Sequence, residues 1–371
     1  MNRHEQFCQN DECRLRGQLG KGNIVIHSKA DKRYRCKVCG QTFTETKGTP
    51  FFHLKMSAEI VALVLALLSH GCPTQAIVIA FGIDERTVSS WLQKAGDHCK
   101  KIHEHTVQQG KIDIKHVQAD EIWVKMVLTK MWMAMAIDVS SRLWLGGVVS
   151  QVRDLRLITT LVEQIRRCAI SSSILLCVDG LSSYVTAFKK VFRNPIHTGK
   201  AGRPHLEPQQ GLLLGQVVKK YEKKHVAKVI KRAVIGTLDA IISVITATCA
   251  GVGINTSYIE RLNATFRGRL HILVRRGRAI AHKDRIVTAG MYLVGCVYNF
   301  CCYHRSLREA SNEEGKKWYE RTPAMAAGLT NHRLTMLELL RIKVPLPLWV
   351  DPPRRGRPPR HLQKQTMAVA A

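Results

Sequence analysis

Helical spacing of apolar residues governs residues 56–105, after a polar and basic opening segment that carries only short strand-like pieces at Asn23–His27 and Tyr34–Cys36. Ser57 is placed to cap a helix through about Ser69, which His70-Gly71-Cys72-Pro73 ends. A short helix over Thr74–Phe81 follows, then the turn Gly82-Ile83-Asp84. The next helix is capped by Asp84 and has Val88, Trp91, Leu92 and Ala95 at i, i+3, i+4 and i+7. Its other side offers Arg86, Thr87, Ser89, Ser90 and Gln93. Short helix, glycine turn and polar-faced helix predict a helix-turn-helix, whose second helix suits a DNA major groove; a plain three-helix bundle fits the same spacing.

From residue 114 the pattern changes to strands. His116–Lys125, Met131–Asp138 and Leu143–Val149 are rich in Val, Ile, Trp and Met, with turns at Leu128-Thr129-Lys130 and Ser140-Ser141-Arg142, and they predict a three-stranded antiparallel meander. Asp154–Ile170 carries a helical stripe of Leu155, Ile158, Leu161, Val162 and Ile165. A strand at Ile174–Val178 and a helix from about Ser182 to Phe192 come next. Three strands, helix, strand, helix is the order of an RNase-H-like α/β domain, so a mixed sheet with helices on both faces is expected. Residues 194–216, with Pro195, Pro204 and Pro208, read as irregular. A basic helix over Val217–Val234, an apolar helix over Leu238–Ala250, a helix around Glu260 and an apolar helix from about Arg285 to Cys302 are expected after them. The chain therefore divides into 1–52, 53–110, 111–310 with an insertion at about 194–250, a C-terminal helical segment 311–350, and a Pro- and Arg-rich tail 351–371 too polar to fold.

Charge narrows the function. Among 371 residues, 57 Lys and Arg face 28 Asp and Glu, a formal net charge of +29 that calls for a polyanionic partner: DNA, RNA or an anionic membrane surface. The longest apolar run, Ile60–Leu68, is too short to span a bilayer, and the N-terminus lacks a signal-peptide core, which favours an intracellular nucleic-acid protein over a membrane one. The densest basic stretch of the folded part holds Arg267, Arg269, Arg275, Arg276, Arg278, His282, Lys283 and Arg285. In the tail, Arg355-Gly356-Arg357-Pro358 has the form of a minor-groove AT-hook core, and equally that of a solvated basic tail.

Of twelve cysteines, four form two close pairs, Cys8 with Cys13 and Cys36 with Cys39. Cys-x4-Cys and Cys-x2-Cys-Gly-x2-Phe place four thiolates on two turns, the donor set of a tetrahedral structural zinc ion, in a segment too small to build a core without one. The other eight lie mostly among apolar residues and read as small buried hydrophobes.

Three acids stand where metal-dependent phosphodiester chemistry needs hard oxygen ligands: Asp120 in Ala119-Asp120-Glu121-Ile122-Trp123, Asp179 closing Leu175-Leu176-Cys177-Val178-Asp179-Gly180, and Glu260 in Tyr258-Ile259-Glu260-Arg261-Leu262-Asn263. Strand alternation puts Asp120 and Glu121 on opposite faces, so only one of them is expected in the site. Asp138 ends a hairpin strand and reads as a turn former. Asp179 is also placed to cap the following helix. Glu260 shares a helix flank with Asn263 and Arg267, beside the apolar stripe Ile259, Leu262, Phe266 and Leu270.

On these motifs the chain resembles the DDE-class transposases of prokaryotic insertion sequences, in particular those with a zinc ribbon and helix-turn-helix ahead of an RNase-H-like catalytic domain. The resemblance extends to Tyr298-Asn299-Phe300 with His304 and to Arg321-Thr322-Pro323-Ala324-Met325. It implies a catalytic triad of Asp120, Asp179 and Glu260. It further implies two Mg2+ (or Mn2+) ions about 4 Å apart on the scissile phosphate, and zinc on Cys8, Cys13, Cys36 and Cys39. Double-stranded DNA, both transposon ends and target, is the implied partner, with Arg86, Ser89, Ser90, Gln93, Arg267, Arg269, Arg275, Arg276, Arg278, Arg355 and Arg357 as candidate contacts. A homo-oligomer in the nucleoid-associated cytoplasm of a prokaryote, with no membrane role, completes the expectation. The rivals are a DNA-binding regulator with an inactive RNase-H-like domain, and a recombinase using Tyr258 or Tyr303 as a covalent nucleophile.

Overall fold

In the computed structural model, residues 2–127, 129–171, 173–196, 204–223, 225–274, 280–311 and 315–350 are described. Candidate contacts Arg275, Arg276, Arg278, Arg355 and Arg357 lie outside them. The chain forms two compact units, one from the parts of 1–48 and 343–371 that are described, the other from Thr49–Ile342.

In the first unit, β1 (Ile24–Ser28), β2 (Arg33–Cys36) and β3 (Thr42–Thr44) make an antiparallel sheet in that order. Ile24, Tyr34 and Phe43 pack with Cys8, Cys13 and Cys36 into a small core. The strand β3 has no sequence signal because it offers one apolar side chain, Phe43. The segment after Ile342 was expected to be helical and is instead without regular structure. It joins this unit: the Lys343 ammonium donates to Gln6, and the Arg14 guanidinium stands 5.8 Å from the Trp349 ring. Gly17 makes that docking feasible, since its φ is +70° and a Cβ there would lie 2.4 Å from the Leu346 carbonyl oxygen.

The second unit opens with α1 (Ala58–Ser69), α2 (Thr74–Phe81) and α3 (Glu85–Thr106). Ser57 accepts from the Ile60 amide and Asp84 from the Arg86 amide, the caps read from the sequence. Gly82 ends α2 in the left-handed conformation, φ +62°. The helix α3 serves two neighbourhoods. Its first turns expose Arg86 and Ser90, with Ser89 and Gln93 half-buried. Farther along, Ala95, Gly96, Cys99, Ile102 and His103 are buried, and α3 packs there against α8 (Asp284–Cys296). Residues 53–110 thus share one compact unit with the sheet.

That sheet has six strands in the order β11-β10-β7-β4-β5-β6. The meander β4 (His116–Lys125), β5 (Lys130–Asp138) and β6 (Trp144–Ser150) is antiparallel, as expected. After α4 (Leu155–Cys168), β7 (Leu175–Asp179) returns parallel to β4, and α5 (Ser182–Val191) follows. A small hairpin, β8 (Arg193–Ile196) with β9 (His205–Pro208), occupies part of the stretch read as irregular. The expected basic helix over Val217–Val234 is a β-hairpin, β10 (Leu213–Glu222) and β11 (His225–Ile235). Its Val217, Val218, Val226, Val229, Ile230 and Val234 are β-branched, and β10 gains a ladder by pairing parallel to β7 from Leu213 to Val217. The lysines between them carry no preference strong enough to resist that pairing.

The helices α6 (Leu238–Ala247) and α7 (Ser257–Arg269) cover one sheet face, where Ile241 and Ile245 pack on Leu175, Cys177 and Val217. The helix α8 runs into a π-helical turn, Val297–Cys301. The stretch Asp284–Leu307 is long and apolar enough to cross a membrane, but 72% of its most apolar window is buried inside the protein, as in a core helix.

Close packing of α3 on α8 depends on Gly96, because a Cβ there would lie 2.4 Å from the Ala289 Cα. Gly96→Val is expected to cost roughly 1–3 kcal/mol of stability, read as a lower urea midpoint with an unchanged slope; a neutral result would show that the two helices separate without penalty.

Candidate functional site

Pairing of β4 with β7 runs from His116↔Leu175 to Gln118↔Cys177 and then stops. Just beyond that fork lie Asp120 on β4 and Asp179 at the end of β7. Leu175, Cys177 and Asp179 share one face by strand alternation, and Leu175 and Cys177 pack under α6, so Asp179 is on the helix-covered side. Gln118 and Asp120 share the same side of β4 and meet α7. The buried Gln118 carboxamide accepts from the Tyr258 and Ile259 amides at 2.9 and 3.1 Å and donates to the Asn255 carbonyl at 2.9 Å. Those two amides belong to the first turn of α7, whose own N-cap, Thr256, makes no side-chain cap bond. One turn farther, Asn263 donates to Asp120 Oδ2 at 2.8 Å.

A cleft of 330 Å³ opens here, lined by Asp120, Asp179, Lys219, Thr256 and Glu260 among others. All three acids predicted from the sequence therefore reach one cleft. Their carboxylates are not equally close. Oxygens of Asp120, Glu121 and Asp179 lie within 4.8 Å of one another, and Glu260 stands outside that group. Its Oε1 accepts from Lys219 Nζ at 3.0 Å and from Thr256 Oγ1 at 3.1 Å.

The exclusion of Glu121 on grounds of strand alternation is thus corrected. Past the fork β4 keeps β5 on one side, with Glu121 opposite Ala134, but has lost β7 on the other, and the longer Glu side chain comes round that open edge. Arg153 holds it there, bonding Glu121 through Nε at 3.1 Å and Nη2 at 3.3 Å, and reaching Asp179 Oδ2 at 3.3 Å with the same Nη2. Trp132 lies under that guanidinium, 5.0 Å away. No pattern in the sequence marks Arg153 or Lys219, since both come from distant segments. Tyr184 is another residue the sequence does not announce: it is fully buried, and its hydroxyl has no hydrogen-bond partner among the described residues. Burial, and then the charges of Glu121, Asp120 and Asp179, push its phenol far up.

Burial raises the Asp120 carboxyl to about 6, with Asp179 and Glu260 adding to the shift. Glu121 goes to about 7, again chiefly by burial, although Arg153 pulls it down. Crowded oxygen donors whose charged forms are disfavoured are suited to a hard divalent cation, which would relieve the repulsion. Asp138 is a turn residue as read: its Oδ2 accepts from the Ser141 amide and hydroxyl at 2.8 and 2.6 Å.

Cys8, Cys13, Cys36 and Cys39 bring their sulfurs within 4.8 Å of one another, with Cys8–Cys39 at 3.6 Å and Cys13–Cys36 at 3.9 Å. A zinc ion bound at about 2.3 Å by four tetrahedral sulfurs spaces them about 3.8 Å apart, so the donor set fits. Against burial, which raises it, hydrogen bonds from the Cys39 and Val38 amides and from Asn23 lower Cys36 to about 7, while burial pushes Cys8 and Cys13 up.

Arg267 lines the mouth of the acid cleft with Lys219. Arg269, two residues on and so about half a turn round the helix, instead donates to Cys302 Sγ at 3.3 Å on the other flank of α7. No protein-family model matches the sequence, and no curated protein matches it.

Two outcomes follow from the site's chemistry. Because Asp120 and Glu121 hold protons in the fold that the unfolded chain gives up, their contribution to stability is complete below about pH 4 and is lost as pH rises through 6 and then 7. Metal-free Asp120→Asn should accordingly be more stable than the parent at pH 8, with the gap in urea midpoint closing toward pH 4. The converse, a loss of stability at pH 8, would refute the crowding of charge. For the cysteine cluster, one equivalent of zinc in the reduced protein is expected by metal analysis, and Cys13→Ser should lose it together with protease resistance of the N-terminal unit.

Proposed function

We propose that the protein is a metal-dependent polynucleotidyl transferase of DDE-transposase type, which nicks the ends of a mobile element and joins the freed 3′-hydroxyl to target DNA. The observation that carries this reading is the meeting of Asp120, Asp179 and Glu260 in one cleft at the fork of two parallel strands. An antiparallel meander continued by parallel strands is also the order of an RNase-H-like sheet, which supports that fold. Formal net charge +29 supports a nucleic-acid substrate.

Asp120 and Asp179 would hold magnesium or manganese, with Glu260 as the third acid once Lys219 yields it. When bound, such ions lower the pKa of the attacking hydroxyl or water and stabilise the leaving 3′-oxygen. Asn263 orients the Asp120 carboxylate, and Lys219 and Arg267 meet substrate phosphates at the cleft mouth. Arg153 keeps Glu121 in place beside the acids, a supporting role. The exposed start of α3, with Arg86 and Ser90, is offered as the element that reads the terminal inverted repeats, and the four cysteines as a structural zinc site. Work on two ends at once calls for a homo-oligomer, in the nucleoid-associated cytoplasm of a prokaryote.

Purified protein with element-end duplex and Mg2+ should yield nicked and joined strands. Asp120→Asn, Asp179→Asn and Glu260→Gln should each lower the rate at least about 10³-fold, and Glu121→Gln, which only loosens Arg153, about 10- to 100-fold. A Glu121 effect exceeding that of Glu260 would make Glu121 the third acid. Sequence-specific binding with no metal-dependent cleavage would support the regulator instead, and a protein-linked DNA band the tyrosine recombinase.

A further inference from the structure

The helix α7 separates two cavities. Glu260, Asn263 and Arg267 face the acid cleft. Arg261, Thr265 and Arg269, spaced four apart, line a larger pocket of 530 Å³ on its other flank. Arg142, from the β5–β6 turn, and the segment Tyr303–Ser306 complete the walls. Four arginines and no acid line this pocket.

The pocket is built at a cost to the protein. Arg142 has φ +60°, the left-handed region, which a bulky residue adopts only when its surroundings hold it there. Its guanidinium stacks 4.1 Å from the Tyr258 ring, and its Nη1 is buried with no hydrogen-bond partner among the described residues. Burial chiefly, and then the charges of Arg142 and Arg261, push His304 down to about 4. Arginines crowded in this way repel one another unless an anion joins them. Three tyrosines, Tyr258, Tyr298 and Tyr303, supply ring faces in the same pocket.

We propose that this arginine–tyrosine pocket binds a nucleotide of the nucleic-acid strand that crosses the acid cleft, taking phosphate on Arg142, Arg261 and Arg305 and the base against a tyrosine ring. A fork of planar cations matches phosphate oxygens, and a base stacks on an aromatic face, whereas a phosphorylated peptide makes no use of the rings. One helix width, about 10–12 Å, separates the two flanks of α7, so a strand lying across the helix reaches both. The pocket would then set the register of the strand over Asp120 and Asp179. This inference rests on the polynucleotidyl-transfer reading.

Arg261 and Arg305 are exposed, so their removal leaves the core intact. Binding of a fluorescent single-stranded oligonucleotide, measured by anisotropy in EDTA, should weaken roughly tenfold in the Arg261→Ala/Arg305→Ala double variant. Its slope of log affinity on log salt should become shallower by about 1.4, the value for two lost phosphate contacts on a single strand. Arg261→Lys should recover part of the affinity, and the melting temperature of the double variant should stay level or rise. An unchanged salt slope overturns the proposal, and affinity lost without a change in slope but with a lower melting temperature marks a structural role instead. Inorganic phosphate or dAMP bound through Arg261 while the oligonucleotide is unaffected also overturns it, in favour of a free-nucleotide site. Cleavage that proceeds with an unchanged slope sinks the pocket alone; arginine-dependent binding in a protein that never cuts DNA sinks the transferase reading and leaves the pocket.

Discussion

A single buried carboxamide, that of Gln118, ties the central strand to the helix that completes the acid cleft. It supplies the acceptor for two amides in the first turn of α7, whose N-cap residue Thr256 makes no side-chain cap bond, and it donates to the segment just before. Without that bond the helix start would bury unpaired donors, a penalty of about 1–3 kcal/mol each. With it, the helix is fixed in height and rotation relative to β4. Glu260 and Asn263 then arrive beside Asp120, and Arg261 and Arg269 are turned toward the opposite flank. The residue two positions before a candidate ligand therefore sets the geometry of both cavities.

The second constraint is electrostatic. Asp120, Glu121 and Asp179 are crowded together, burial disfavours the charges of the first two, and the protein meets this with two borrowed cations and an amide rather than with distance. Arg153 spans Glu121 and Asp179, Lys219 takes Glu260, and Asn263 takes Asp120. These partners come from a loop, a hairpin and a helix. The hairpin β10–β11 thus does more than extend the sheet: its Lys219 reaches back over the cleft. Across α7 the opposite imbalance holds, with arginines and no acid. Two cavities of opposite sign on one helix are what the proposed transferase would use, one for cations and one for substrate phosphates.

Much of the architecture was legible because local signals and tertiary demands agreed. Ser57 and Asp84 cap helices where their sequence context says they should, and the meander was plain from its β-branched and aromatic runs. The hairpin over Val217–Val234 was misread because lysines at helix-like intervals masked a β-branched backbone preference that only pairing with β7 brings out. The segment after Ile342 was misassigned because its partner, Leu346 against Gly17, is more than three hundred residues away in the chain.

By itself the sequence determined which residues could do chemistry: four thiols at metal spacing, and acids at the end of one strand, inside another and on a helix. Residue type and local spacing suffice for that, since a thiolate or carboxylate is a candidate ligand wherever it stands. Only the tertiary structure decided which carboxylates are neighbours. Strand alternation predicted that Glu121 would point away from Asp120, and it separates two side chains fully only where strands flank both edges. After Gln118↔Cys177 the β7 edge of β4 is open while β5 stays paired on the other, and Arg153, Lys219 and Asn263 then settle each carboxylate through contacts that no local pattern contains.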